Sequence, residues 1–280
     1  MNRKAQIFRA TWVSVFVNAF LAFIKIILGF VGQSPALFAD GMHSVADMLA
    51  DGLIFVAAYY GAIAPDANHP YGHRRIETFS AYLLGVLLFI LGLYIAYSGI
   101  HAIWVGHYQV PAFYTAVVAF ISLLANEGLY RYLMFCAKKV QSDLVEANAW
   151  HNRLDALTSL VVLVGIVGAR MGYPALDPIA AILVSALIIK IAYRLSMRAV
   201  RELIDEGLEQ DQIAEITDII VAVPGVVAMH HLRSRKMAEQ ILIDVHIQVD
   251  PYLSASEGHY IGECVSDAIR QFQPNMQDIT

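Results

Sequence analysis

Asp40, His43, Asp47 and Asp51 interrupt an otherwise apolar stretch of the chain. At ~100° per residue on a helix, these four fall within an arc of about 80°, which makes one polar stripe. Within the stripe, His43 and Asp47 stand at i and i+4, a spacing that stacks an imidazole beside a carboxylate. The same pair recurs at His151 and Asp155, with Thr158 and Ser159 on the following turn. An ionisable group in a bilayer costs a few kcal/mol, so such a face implies a cavity, a partner helix or a bound cation. Two imidazoles and two carboxylates from two facing helices complete a four-coordinate N2O2 shell, which suits the tetrahedral preference and borderline softness of Zn²⁺. Magnesium and calcium want oxygen and higher coordination, and fit poorly. A purely structural zinc would use the same ligands, and the absence of cysteine among them argues against it. Asp40 and Asp51 are accessory candidates, for which capping of the helix start or contact with water is the alternative. Histidine titrates near neutrality, so metal and proton can compete for the same shell.

A second candidate group lies in the loop that runs from Pro65 to Glu77, where Asp66, His69 and His73 converge on one ion if the loop folds back. A Pro- and Gly-rich loop with hydrogen-bonding histidines is the alternative. A third group lies near the C-terminal end, where His230, His231, His246 and His259 are four of the chain's 10 histidines. Antiparallel pairing of the strands that carry His230 and His231, and His246 with Asp244, would bring them together.

The elements that position these residues follow from composition. Of 280 residues, 58% are hydrophobic and 15% charged, whereas soluble chains carry roughly a quarter charged residues. Segments at about 8–31, 36–64, 79–103, 111–136, 145–171 and 175–196 each reach or exceed the roughly 20 residues that cross a bilayer. Lys25 and the lack of a small-residue cleavage site mark the first as a retained span. Lys and Arg cluster in alternate connections, such as Arg74 and Arg75 or Lys138 and Lys139, which places both termini in the cytoplasm by the positive-inside rule. The expected fold is an all-α six-helix transmembrane bundle over 1–204, followed by a small cytoplasmic α+β domain over 205–280. In the latter, a helix at about 209–222 stops before Pro224-Gly225, strands follow at 227–235 and 240–249, Ser254 and Glu257 open a second helix, and a third strand runs to the chain end. That segment holds 4 Lys and Arg against 13 Asp and Glu, a formal charge of −9. Such a balance disfavours nucleic acid, which needs clustered Lys and Arg, and favours cations. The two cysteines, Cys136 and Cys264, form no disulfide framework.

The chain resembles the cation diffusion facilitator family, the divalent metal/proton antiporters, over essentially its whole length. The resemblance rests on Ala39-Asp40-Gly41-Met42-His43-Ser44-Val45-Ala46-Asp47, on His69-Pro70-Tyr71-Gly72-His73, on Trp150 to Ser159, and on Pro224-Gly225-Val226. It implies six spans, a metallochaperone-like αββαβ cytoplasmic domain, a homodimer in the cytoplasmic (inner) membrane, and metal export against inward proton flow. It further implies a transport site at His43, Asp47, His151 and Asp155, a loop site at Asp66, His69 and His73, and part of a cytoplasmic site at His230, His246 and His259, beside which the strand pattern adds His231 and Asp244 as accessory candidates. Arg75 and Asp205 match positions that join membrane and cytoplasmic parts across the family's dimer. The bacterial zinc/iron branch carries Asp where this chain has His43, and the His form is similar to that of zinc-selective members. The expected cargo and regulatory ion is therefore Zn²⁺, with Fe²⁺, Mn²⁺, Co²⁺ or Cd²⁺ as alternatives.

Other function classes find less support. The chain lacks the G-x-x-x-x-G-K-[ST] loop of an ATP-driven pump and the H-E-x-x-H helix of an intramembrane hydrolase, so no enzyme is expected. A membrane metal receptor without flux would use the same ligands.

Overall fold

The computed structural model describes residues 3–61, 63–106, 108–140, 143–237, 240–273 and 276–280. Six long helices come first: α1 (Arg3–Val31), α2 (Pro35–Gly61), α3 (Arg75–Val105), α4 (Phe113–Val140), α5 (Asp143–Arg170) and α6 (Leu176–Leu203). At ~1.5 Å per residue, each is long enough to cross a bilayer. Among the described residues, α1, α3, α4, α5 and α6 are also apolar enough to do so. The 27-residue α2 differs from those five because it carries the stripe of Asp40, Asp47 and Asp51. The remaining elements are α7 (Gln210–Ala222), β1 (Ala228–Met237), β2 (Gln240–Gln248), α8 (Ala255–Phe272) and β3 (Met276–Ile279), in the αββαβ order expected.

Two compact units are present, residues 1–53 with 84–194 and residues 54–83 with 195–280. The first unit packs as membrane helices do. Its core sets small residues such as Ala36, Ala39, Ala119, Ala180 and Ala181 against Val162, Ile166 and Ile188, while Phe16, Phe20, Phe23 and Leu87 point outward. Lipid tails are as apolar as leucine, so close backbone approach and interhelical hydrogen bonds hold such a bundle together. Gly29 provides one approach, since a Cβ there would fall 2.6 Å from the backbone nitrogen of Phe38. Polar rungs join α1 to α5: the Asn18 amide donates to Asn152 Oδ1 at 3.2 Å, and Asn152 donates to Ser14 Oγ at 3.3 Å.

In the second unit β1 pairs antiparallel with β2, which pairs parallel with β3. Ile216 and Ile220 of α7 and Val265 and Ile269 of α8 bury against Ile241, Ile243 and Met276 of the sheet. The alternation of Ile241 and Ile243 read from the sequence supplies the covered face. Ser254 and Glu257 close a capping box: Glu257 N donates to Ser254 Oγ at 3.3 Å, and Ser254 N donates to Glu257 Oε2 at 2.8 Å. The Ser254 hydroxyl also donates to Glu257 Oε2 at 2.7 Å, and this bond, with the lesser one from Ser254 N, holds the Glu257 carboxyl below its usual range.

Candidate metal centre

His43 and Asp47 lie on α2 and His151 and Asp155 on α5, each pair one turn apart on its helix. The four side chains form a closed ring in which nitrogen and oxygen alternate. His43 Nε2 is 3.7 Å from Asp47 Oδ2 and 4.0 Å from Asp155 Oδ1. His151 Nε2 is 3.7 Å from Asp47 Oδ2 and 3.7 Å from Asp155 Oδ2. Ligand atoms of His43, Asp47 and Asp155 lie within 4.8 Å of one another. A tetrahedral shell with bonds of about 2.0–2.1 Å has edges of about 3.3–3.4 Å; His43, Asp47 and Asp155 approach that spacing as a group, and His151 stands outside it, joined through its contacts to Asp47 and Asp155. His43 is buried, and the His151 side chain is 44% exposed. A cavity of about 280 Å³ opens beside the ring, with His43, His151, Asp155 and Thr158 on its polar side and α6 residues such as Leu183 and Leu187 on the other.

The accessory positions separate. Asp40 does not join the ring: its Oδ2 pairs with Lys25 Nζ at 2.8 Å, with both groups buried. In the sequence Lys25 marks the first segment as a retained span, and nothing local to it names Asp40 as its partner. A lone lysine in an apolar helix was the available signal, because it needs a counter-charge. The Asp51 side chain lies outside the described residues.

In the loop, Asp66 Oδ1 is 3.1 Å from His69 Nδ1 and Asp66 Oδ2 is 3.5 Å from His73 Nε2. The two imidazole centroids are 4.3 Å apart. Backbone N–H groups of Asn68 and His69 donate to Asp66 Oδ1 at 2.8 and 2.6 Å. The His69 N–H is the chief cause of an Asp66 carboxyl held below its usual range. His73 Nδ1 is buried without a hydrogen-bond partner. Gly72 turns the loop with φ +82°, a conformation L side chains rarely adopt. Together these features place three ligand atoms within 4.8 Å.

On the terminal sheet His230 and His246 are directly opposed across β1 and β2. A bulge between His230 and Arg233, with His231 at φ +53°, breaks the strand alternation. The rings of His230, His231 and His246 therefore gather with centroids 5.0–5.5 Å apart. His259 sits on α8, 80% exposed, with Nε2 3.7 Å from Glu263 Oε1. Asp244 stands opposite Arg233 in the ladder. Arg75 pairs with Asp205 within one chain and donates to the carbonyls of Glu202 and Leu203, where it caps the end of α6.

Residues 11–204 match the family model of the cation efflux transmembrane domain, and residues 208–280 match that of the cation efflux protein cytoplasmic domain. The chain belongs to the cation diffusion facilitator family. This is a family of divalent metal cation efflux transporters, integral to membranes. Among similar cation diffusion facilitator chains, the magnetosome protein MamB of Paramagnetospirillum magneticum is 30% identical over 268 residues, covering 96% of this chain and 90% of the relative. The manganese efflux system protein MneP of Bacillus subtilis is 30% identical over 286 residues, covering 99% of this chain and 96% of the relative. Metal tolerance protein C1 of Arabidopsis thaliana is 32% identical over 274 residues, and this chain spans 58% of its length. The solved MamM CTD in its copper form is 28% identical, covering 25% of this chain and 78% of that chain, with a TM-score of 0.24.

Proposed function

We propose that this protein exports Zn²⁺ from the cytoplasm in exchange for protons, using His43, Asp47, His151 and Asp155 as its transport site. The observation that carries the reading is the closed N2O2 ring contributed by two facing helices, with edges of 3.7–4.0 Å. Two carboxylates balance the charge of one divalent cation, and two imidazoles favour a borderline-soft one. A proton taken up by His151 or an aspartate removes a lone pair from the shell, so acid on the outer face favours release and inward proton flow drives export. Alternating access between an inward-open and an outward-open form moves the ion past this fixed site. Both termini lie in the cytoplasm under this reading, residues 1–204 form the transport domain, and the chain works as a homodimer in the cytoplasmic membrane. The loop group of Asp66, His69 and His73 binds a second ion. The terminal domain, residues 205–280, binds regulatory metal through His230, His246 and His259, with His231 beside the first two as an accessory.

Manganese is the second reading. It is supported by likeness to MneP along 99% of this chain. Proteoliposomes loaded with a metal-sensitive dye separate the two. Zinc influx that collapses a pH gradient, and that excess Mn²⁺ does not suppress, is expected. Asp155→Ala, which leaves three ligands, abolishes flux while the protein stays folded. Full flux in that variant removes the site assignment, and metal binding without flux in the parent protein makes it a receptor.

A further inference from the structure

One fully buried ion pair lies beside the candidate ligands without belonging to them. Lys25 of α1 and Asp40 of α2 are each 1% exposed, with Nζ 2.8 Å from Oδ2. The two helices touch there at the level of their backbones: a Cβ on Gly41 would fall 2.8 Å from the Ile26 nitrogen and 3.0 Å from Lys25 Cβ. The ammonium also donates to Ser159 Oγ at 3.3 Å and to Ser44 Oγ at 3.5 Å. Asp40 accepts from Ser159 Oγ at 3.0 Å, and Thr158 Oγ1 lies 3.3 Å from Asp40 Oδ1, both hydroxyls being on α5. Ser44 Oγ donates to the Asp40 carbonyl at 3.1 Å, and Thr158 Oγ1 donates to the Asp155 carbonyl at 2.8 Å. The pair thus ties α1, α2 and α5 together one turn from His43 and one turn from Asp155.

Stability alone does not account for it. A buried ion pair is often replaceable by apolar groups without loss, whereas removing one partner leaves an uncompensated charge. Its placement has two consequences for a cation. It sets the spacing and rotation of α2 against α5, the helices that supply all four ligands. It also commits the Asp40 carboxylate to Lys25, which leaves Asp47 and Asp155 as the ring's acidic donors.

We propose that Lys25 and Asp40 are positioning residues, a charge-neutral clasp that holds α2 and α5 in register at the metal site and withholds a third carboxylate from the transported cation. The inference rests on the transport-site reading above. It is tested on the full chain in proteoliposomes with Zn²⁺ and Mn²⁺ as probes, comparing Lys25→Met, Asp40→Asn, the double variant and Asp155→Ala. Freeing Asp40 adds a hard oxygen donor, so Lys25→Met raises the Mn²⁺ to Zn²⁺ ratio of kcat/KM about tenfold. Asp40→Asn leaves the ammonium uncompensated and raises KM for both ions about tenfold, within the usual range of site-to-site coupling. The double variant restores both quantities to within about threefold of the parent, because coupled neighbours are not additive. A ratio unchanged in Lys25→Met, or a double variant as impaired as the worse single, overturns the clasp. If a single variant fails to fold, the double carries the test: a parental ratio supports the proposal and a shifted one overturns it. Flux remaining in Asp155→Ala removes the transport-site reading instead, so the two failures are told apart.

Discussion

At the scale of single residues, the proposed transport site makes His43 the ligand whose chemistry decides selectivity. It is buried and faces a carboxylate from each helix, Asp47 at 3.7 Å and Asp155 at 4.0 Å. Replacing its neutral nitrogen by a carboxylate makes the shell harder and more negative. His43→Asp should therefore raise Mn²⁺ or Cd²⁺ handling over Zn²⁺ by about tenfold, read as initial rates in competition flux. An unchanged ratio would exclude direct coordination by His43. Lys25 shows the converse case, a residue chemically conspicuous in the sequence whose role depends on a partner. The lysine stands 15 positions from Asp40 in the chain, and the crossing of α1 and α2 at Gly41 makes them neighbours.

At the scale of elements, the start of α8 offers a pH test. Glu257 has its carboxyl lowered by bonds from Ser254, so ionised Glu257 belongs to the folded cap. A depressed folded value contributes stability that is complete above the unfolded value and lost as pH falls through the folded one. Protection of the first-turn amides of α8 against hydrogen exchange, corrected for intrinsic rates, should hold from neutral pH down to the usual 4.5 and fall only below it. Ser254→Ala should reduce that protection already at neutral pH, by the ~1 kcal/mol typical of a lost N-cap, and flatten its pH dependence. The bulge in β1 is a second device of this scale. Ordinary strand alternation sends His230 and His231 to opposite faces, and the positive φ at His231 sends both toward His246.

At the scale of the whole molecule, residues 205–280 carry a formal charge of −9. In the proposed homodimer two such domains repel one another, over about 8 Å at physiological salt. Divalent cations held by His230, His231 and His246 would offset that repulsion and favour closer approach. Spin-label distances between the two terminal domains should shorten when Zn²⁺ is added, and the shift should vanish in His246→Ala. A typical allosteric coupling of about 1–3 kcal/mol is enough for a visible change in population. A distribution indifferent to zinc, or one that shifts equally in the histidine variant, would deny this cluster a regulatory role.

The spans, the order of the terminal elements and the paired His-x-x-x-Asp groups were legible from the sequence, because hydropathy, strand alternation and i, i+4 spacing are local properties. The Ser254 capping box was legible for the same reason. What only the tertiary structure decided depends on which elements meet. The engagement of Asp40 by Lys25 required α1 to cross α2 at a glycine. The gathering of His231 with His230 and His246 required a bulge, one extra residue in a ladder whose pairing partner lies elsewhere in the chain. Periodicity places a side chain on a face of its own element, and packing alone determines what that face touches.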